Sequence, residues 1–192
     1  FEIVPPDLIT DSQLKKWIRA NRHLLPEVII NKDGGIYKTI TNLEALSKIE
    51  ELECTNFKLM SIDELIKHMP NLKTLKCDNN SLINLDVSKN INLEKLDCSG
   101  NQLSNLDFTS NINLIQLDCF NNQLTSLDIS KNTNLENLEC HHNQLSNLDV
   151  SNNIELKYLK YNHIQLTDLD VSKNINLEKL ECQCNQLTNL DF

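Results

Sequence analysis

From Asn71 onward the chain repeats itself every 21 residues. The copies run NLKTLKCDNNSLINLDVSKNI, NLEKLDCSGNQLSNLDFTSNI, NLIQLDCFNNQLTSLDISKNT, NLENLECHHNQLSNLDVSNNI and ELKYLKYNHIQLTDLDVSKNI, and a sixth, NLEKLECQCNQLTNLDF, stops short. Cys77, Cys98, Cys119, Cys140 and Cys182 fall on this grid, with Tyr161 in the skipped place. Asn80, Asn101, Asn122, Asn143 and Asn185 do likewise, with Ile164 as the exception. A fixed period of this length belongs to a solenoid, in which a copy cannot bury its apolar side alone and must stack on its neighbours.

Within one copy, Leu75 and Cys77 alternate with Thr74, Lys76 and Asp78, the period of a short strand with one buried face. The chain must then turn, and the amide of Asn80 suits the backbone groups such a turn would orphan. Stacked copies would form an asparagine ladder at the strand spacing of ~4.8 Å. The second half, Leu82-x-x-Leu85-Asp86-Val87-Ser88-x-Asn90, echoes the first in ten or eleven residues. We expect a second extended segment there, on the opposite side of a flattened coil; Ser88 to Asn90 is too short and polar to favour the alternative, a helical back. This regular use of asparagine fits a chain with only three glycines and four prolines.

The pattern L-x-x-L-x-C-x-x-N-x-L-x-x-L-D-V-S-x-N over residues 49–192 resembles the 21-residue leucine-rich repeats of Bacteroidetes and related bacteria, and more distantly internalin-like surface proteins. The resemblance implies an α/β leucine-rich-repeat solenoid with short parallel strands and mostly extended, helix-poor backs. It also implies a non-enzymatic recognition module, since enzymes carrying such repeats place catalysis in a separate domain.

Residues 1–48 break the period and read as an N-terminal cap over the first coil of a 49–192 solenoid. Thr10 or Asp11 can cap a helix with Leu14, Trp17, Ile18 and Leu25 on one side, ended by Pro26. Val28–Ile30 and Ile36–Ile40 flank Lys32-Asp33-Gly34-Gly35 as a β-hairpin. That turn resembles a calcium loop only faintly, because the alternating acidic ligands are missing. Arg19 and Arg22 beside Lys15 and Lys16 read as the solvated side of the cap helix. Ile49-x-x-Leu52-x-Cys54 resembles a first strand, with Phe57 in the asparagine place and room for one or two helical turns between Ser61 and His68.

With the leucines inward, positions 74, 76 and 78 of each copy face out and position 79 forms a rim. These columns vary while the frame stays constant, as expected of a binding face. The expected anchors are Phe120, His141, His142, Tyr158 and His163, with Asp97, Asp118 and Glu139 beside them. The acidic strip points to a protein partner of basic character. The net charge of −9 argues against nucleic acid. No run nears the ~20 apolar residues that a membrane span requires.

His142, His163 and Cys184 share one column, but without a fourth ligand no metal site is expected, and no cofactor. Asp86, Asp107, Asp128, Asp149, Asp170 and Asp191 form another column, whose carboxylates should be relieved by turn amides and the Ser88-column hydroxyls. Most of the seven cysteines should be buried free thiols, Cys184 the exposed exception. No phosphate-binding glycine loop or H-E-x-x-H motif is present.

The sequence shows no leader pattern at Phe1, so a targeting signal has been removed or was never there, and no capping pattern at Phe192, where continuation of the natural chain stays open. An uncapped end suits homo-association, which keeps a structural, self-associating spacer open as the alternative function. A secreted or cell-surface location is expected, with the cytoplasm open.

Overall fold

The computed structural model describes residues 46–162, 167–186 and 188–191. The expected cap helix and hairpin, and His163 and Ile164, lie outside them.

Each coil contributes one three-residue strand. These are β1 (Glu51–Glu53), β2 (Thr74–Lys76), β3 (Lys95–Asp97), β4 (Gln116–Asp118), β5 (Asn137–Glu139), β6 (Tyr158–Lys160) and β8 (Lys179–Glu181), which form one seven-stranded parallel sheet in that order. Pairing joins equivalent positions, Leu75 to Leu96 to Leu117 to Leu138 to Leu159 to Leu180. The middle residue of each strand points inward because the period is two, so Leu75, Leu96, Leu117, Leu138 and Leu159 are buried.

Opposite this sheet the chain stays extended. Only β7 (Asp168–Asp170) and β9 (Asn189–Asp191) pair there, in parallel, among the described residues. In the coils before them the inter-coil bonds come from side chains instead. Asn111 Nδ2 donates to the Val87 and Asn90 carbonyls at 3.1 and 2.9 Å, and Asn132, Asn153 and Asn174 do the same for their predecessors. A four-residue helix, α1 (Asp63–Ile66), fills the longer first coil and buries Leu65 and Ile66. Leu46, at the start of the described chain, already sits in the core.

Three asparagine rows bind the coils. The first follows the main sheet. Asn122 Nδ2 donates to the carbonyls of Cys98 (3.0 Å) and Cys119 (3.1 Å) while its Oδ1 accepts the Leu103 amide (3.0 Å). Asn101 and Asn143 repeat this set. The second is the buried back row just described. The third is exposed and ties Asn92, Asn113, Asn134 and Asn176 to carbonyls one coil back. Between the rows lies a cysteine column. Cys54, Cys77, Cys98, Cys119 and Cys140 are buried free thiols, Cys182 is half-buried and Cys184 exposed. Burial pushes the thiols of Cys54 and Cys140 up to about 12, so they pack as neutral apolar groups.

Candidate functional site

The outward positions of the main sheet make one continuous face, and its chemistry changes along the solenoid. Asp97, Asp118 and Glu139 are direct partners on β3, β4 and β5, a row of three carboxylates set at the strand spacing. All three are half-buried. Ser99 donates to Asp97 Oδ1 through its amide (3.1 Å) and hydroxyl (2.6 Å), and Gln116 Nε2 donates to Asp118 Oδ2 at 2.8 Å. Burial raises the Asp97 carboxyl against the pull of the Ser99 bonds. The centre of the row feels it most. Burial first, then the like charges of Asp97, Glu139 and Asp78, push Asp118 up to about 6.

A raised carboxyl means the fold holds the proton more tightly than the unfolded chain, whose aspartate titrates near ~3.9. Stability from this group is therefore gained as pH falls through about 6 and is missing above it. Asp118→Asn removes the ionised group. Its melting temperature should exceed the parent's by roughly 2–4 °C at neutral pH, about 1 kcal/mol after discounting for solvent exposure. The gap should narrow as pH falls from about 6 and close only below ~3.9, where the unfolded aspartate is protonated as well. Paired calorimetric scans across that range check it, and a gap independent of pH would refute the assignment.

Beyond the acidic row lies an aromatic ledge. Phe120 and His141 occupy the same place in successive coils, and their rings stack with centroids 4.5 Å apart and planes 10° apart, as the coil spacing dictates. His142 meets His141 edge-on at 5.3 Å, and Glu139 Oε2 lies 3.8 Å from His141 Nδ1. His141 is only 7% exposed, so it supports Phe120 from below, whereas Phe120 is half-buried and His142 exposed.

The far end of the face is self-paired. Tyr158 donates its hydroxyl to Glu181 Oε1 (3.2 Å), with Lys179 Nζ 4.9 Å over its ring. Lys160 lies between Glu139 (3.9 Å) and Glu181 (3.7 Å), and Lys179 also pairs with Glu181 (2.5 Å). Lys160, Lys179 and Glu181 lay in the columns read from the sequence, but only their cross-strand contacts mark them as the charges that close the acidic row.

The rim column is less free than its variation suggests. Asn79, Gly100, Asn121, His142 and Cys184 all take positive φ, between 52° and 62°. This left-handed turn favours glycine and asparagine, and tolerates histidine. At Gly100 a Cβ would also lie 2.7 Å from Asn79 Oδ1. Part of this column's residue choice therefore follows backbone geometry. His142 and Cys184 accordingly share a turn geometry, and no group of three His, Cys, Asp or Glu side chains among the described residues could hold a metal ion.

The back aspartates behave as the sequence suggested. Asp86, Asp107, Asp128, Asp149 and Asp170 each accept the amide two residues on, at 2.9–3.0 Å, and Thr109 adds its hydroxyl at 2.7 Å. Those bonds hold all five carboxyls below their ordinary range.

No protein-family model matches the sequence, and no curated protein matches it. Solved structures do. The functional domain of InlJ from Listeria monocytogenes, described as including a cysteine ladder, is 30% identical with a TM-score of 0.52 over 76% of this chain and 42% of that one. A leucine-rich-repeat protein of Leptospira interrogans is 20% identical, TM-score 0.66, over 78% of this chain and 50% of that one. Internalin C2 of Listeria monocytogenes is 20% identical, TM-score 0.63, over 96% and 89%. The chain thus spans half or less of the length of the first two. At 20% identity the latter two likenesses speak to the fold.

Repeat, coil and strand register make this chain a leucine-rich-repeat solenoid. Within that class it is similar to leucine-rich-repeat and internalin proteins of bacteria, and it carries a buried cysteine column of its own.

Proposed function

We propose that the chain is a recognition module that binds a protein partner of basic character through the outward face of its main sheet, at β3 to β5. The observation that carries this reading is the in-register row Asp97–Asp118–Glu139 beside the Phe120–His141 stack. A lysine or arginine of the partner would meet the carboxylate row, and an apolar side chain beside it would cover Phe120. His142 lies at the edge of this patch and Tyr158 beyond it, held by Glu181; His163 belongs to the same set by its place in the repeat. The internalin-like neighbours support an interaction role for such a face. No catalytic step belongs to this reading. This reading includes a site of action at the bacterial surface or in the secreted fraction, where the buried neutral thiols would be shielded from oxidants.

The test is selection from a displayed library of short peptides against the whole chain. Selected ligands should carry Lys or Arg beside an aromatic or aliphatic residue. Their affinity should fall about tenfold or more with Phe120→Ala. With Asp97→Asn, Asp118→Asn and Glu139→Gln combined, the association rate should fall and lose most of its salt dependence. Ligands that bind the neutralised variant as well as the parent would overturn the proposal.

A further inference from the structure

A second feature lies away from the main sheet, at the corner where each coil passes from its back to the next strand. Ile91, Ile112, Ile154 and Ile175 occupy this corner in successive coils and are 50–86% exposed, with Thr133 completing the row. The exposed asparagine row holds the corner rigidly in step: Asn113, Asn134 and Asn176 donate to the carbonyls of Ile91, Ile112 and Ile154 at 3.1–3.3 Å. The result is a straight apolar ridge about 20 Å long, one side chain per strand spacing of ~4.8 Å. Each of these isoleucines leaves half or more of its apolar surface in water.

The charges beside the ridge are ordered. On its back flank stand Lys89, Lys131 and Lys173, all exposed. On its front flank, immediately before β3, β5 and β8, stand Glu94, Glu136 and Glu178. The two sets fall on the same coils. Where the back residue is uncharged, Ser110 or Asn152, the front residue is Ile115 or Lys157, and neither is acidic. Lys157 pairs with Glu136 of the preceding coil at 2.8 Å.

We propose that two copies of this chain associate side by side along the isoleucine ridge, parallel and in register, about a two-fold axis that runs along the solenoid. Such an axis keeps each coil opposite itself and exchanges the flanks. Lys89 then faces Glu94 of the other copy, Lys131 faces Glu136, Lys173 faces Glu178, and no lysine faces a lysine. An antiparallel two-fold would instead set Lys89 against Lys173 and Lys131 against itself. Charge complementarity therefore selects one arrangement. The period selects the partner, because a ridge repeating at the coil spacing is matched step for step by another copy of the same solenoid. The ridge is narrow, so the contact falls well short of the ~800 Å² per partner of a standard interface. The dimer is accordingly weak and forms at high local concentration.

Sedimentation equilibrium of the whole chain, from micromolar to millimolar concentration, tests this. The expected result is a reversible monomer–dimer equilibrium that weakens several-fold in high salt as the flanking charges are screened. Ile112→Lys with Ile154→Lys, both at exposed positions and with circular dichroism unchanged, should leave monomer throughout. For the orientation, Ile112→Cys in a Cys184→Ser background should cross-link to itself under mild copper-catalysed air oxidation. Monomer at every concentration, or a dimer that survives the lysine pair and so stacks through the solenoid's end, would overturn the proposal. A cross-link that forms only when the Ile112→Cys chain is mixed with an Ile154→Cys chain would overturn the parallel arrangement. The ridge shares no residue with the main-sheet face, so loss of the dimer and loss of peptide binding are separately readable.

Discussion

Asn122→Ala is expected to destabilise the solenoid by about 3–5 kcal/mol, one of the two largest effects we foresee. The amide of Asn122 is used from both ends. Its Nδ2 serves the carbonyls of Cys98 and Cys119, which belong to two different coils, and its Oδ1 takes the amide of Leu103. Asn122 is 9% exposed, so water cannot replace these partners without opening the turn. Truncation orphans the Leu103 amide at roughly 1–3 kcal/mol, and it removes one of two donors from each carbonyl, which Asn101 and Asn143 still serve, at roughly 0.5–1.5 kcal/mol per lost bond. Urea unfolding followed by circular dichroism measures the total, and hydrogen exchange at the Leu103 amide localises it. The back row supplies the control. Asn132 donates to the carbonyls of Phe108 and Asn111, but its buried Oδ1 has no partner. Asn132→Ala orphans no donor, leaves those carbonyls with the Asn111 and Leu114 amides and removes one unpaired acceptor, so it should cost clearly less than Asn122→Ala. Equal losses at the two sites would mean that the donated bonds alone matter.

Phe108→Ala should cost a comparable ~3–5 kcal/mol through the cavity it leaves. Phe108 is fully buried in the column where the other coils place Val87, Ile129, Val150 and Val171. Those neighbours show which replacement the column accepts. Phe108→Ile keeps a branched apolar group and most of the volume, and should cost no more than about 1.5 kcal/mol. Chemical denaturation of both variants decides the matter. If isoleucine cost as much as alanine, the coil would be fitted around an aromatic ring at this one level.

The two predictions differ in how far the sequence alone supports them. Asn122 was legible as a ladder residue, because Asn80, Asn101, Asn122 and Asn143 fall on one grid after an alternating strand. The second ladder was only half visible. The echo that ends at Asn90 was plain, yet nothing in it said that these side chains, rather than a backbone ladder, would join the backs of the coils. That choice depends on how closely the backs approach, which is set by packing inside the coil.

The candidate face divides along the same line. Its columns could be listed from the sequence because a parallel solenoid places residues 21 apart side by side. Phe120 and His141 were both named there, but as equals. The structure made one the exposed edge and the other its buried support, because His141 is covered by Phe120 on one side and meets the edge-on ring of His142 as well. The variation of the rim column looked like recognition and proved partly conformational, because a positive φ at Asn79, Gly100 and Asn121 is a backbone demand that composition does not display.

The sequence by itself determined the coil: its period, the strand, the inward leucines and cysteines, and the asparagine turn. These follow from local alternation and repetition, and every copy restates them. Only the tertiary structure decided which of the like charges is perturbed, which ring is covered and which isoleucines remain in water. Those properties arise between coils, from distances and burial that a residue acquires only once its neighbours 21 positions away are stacked against it.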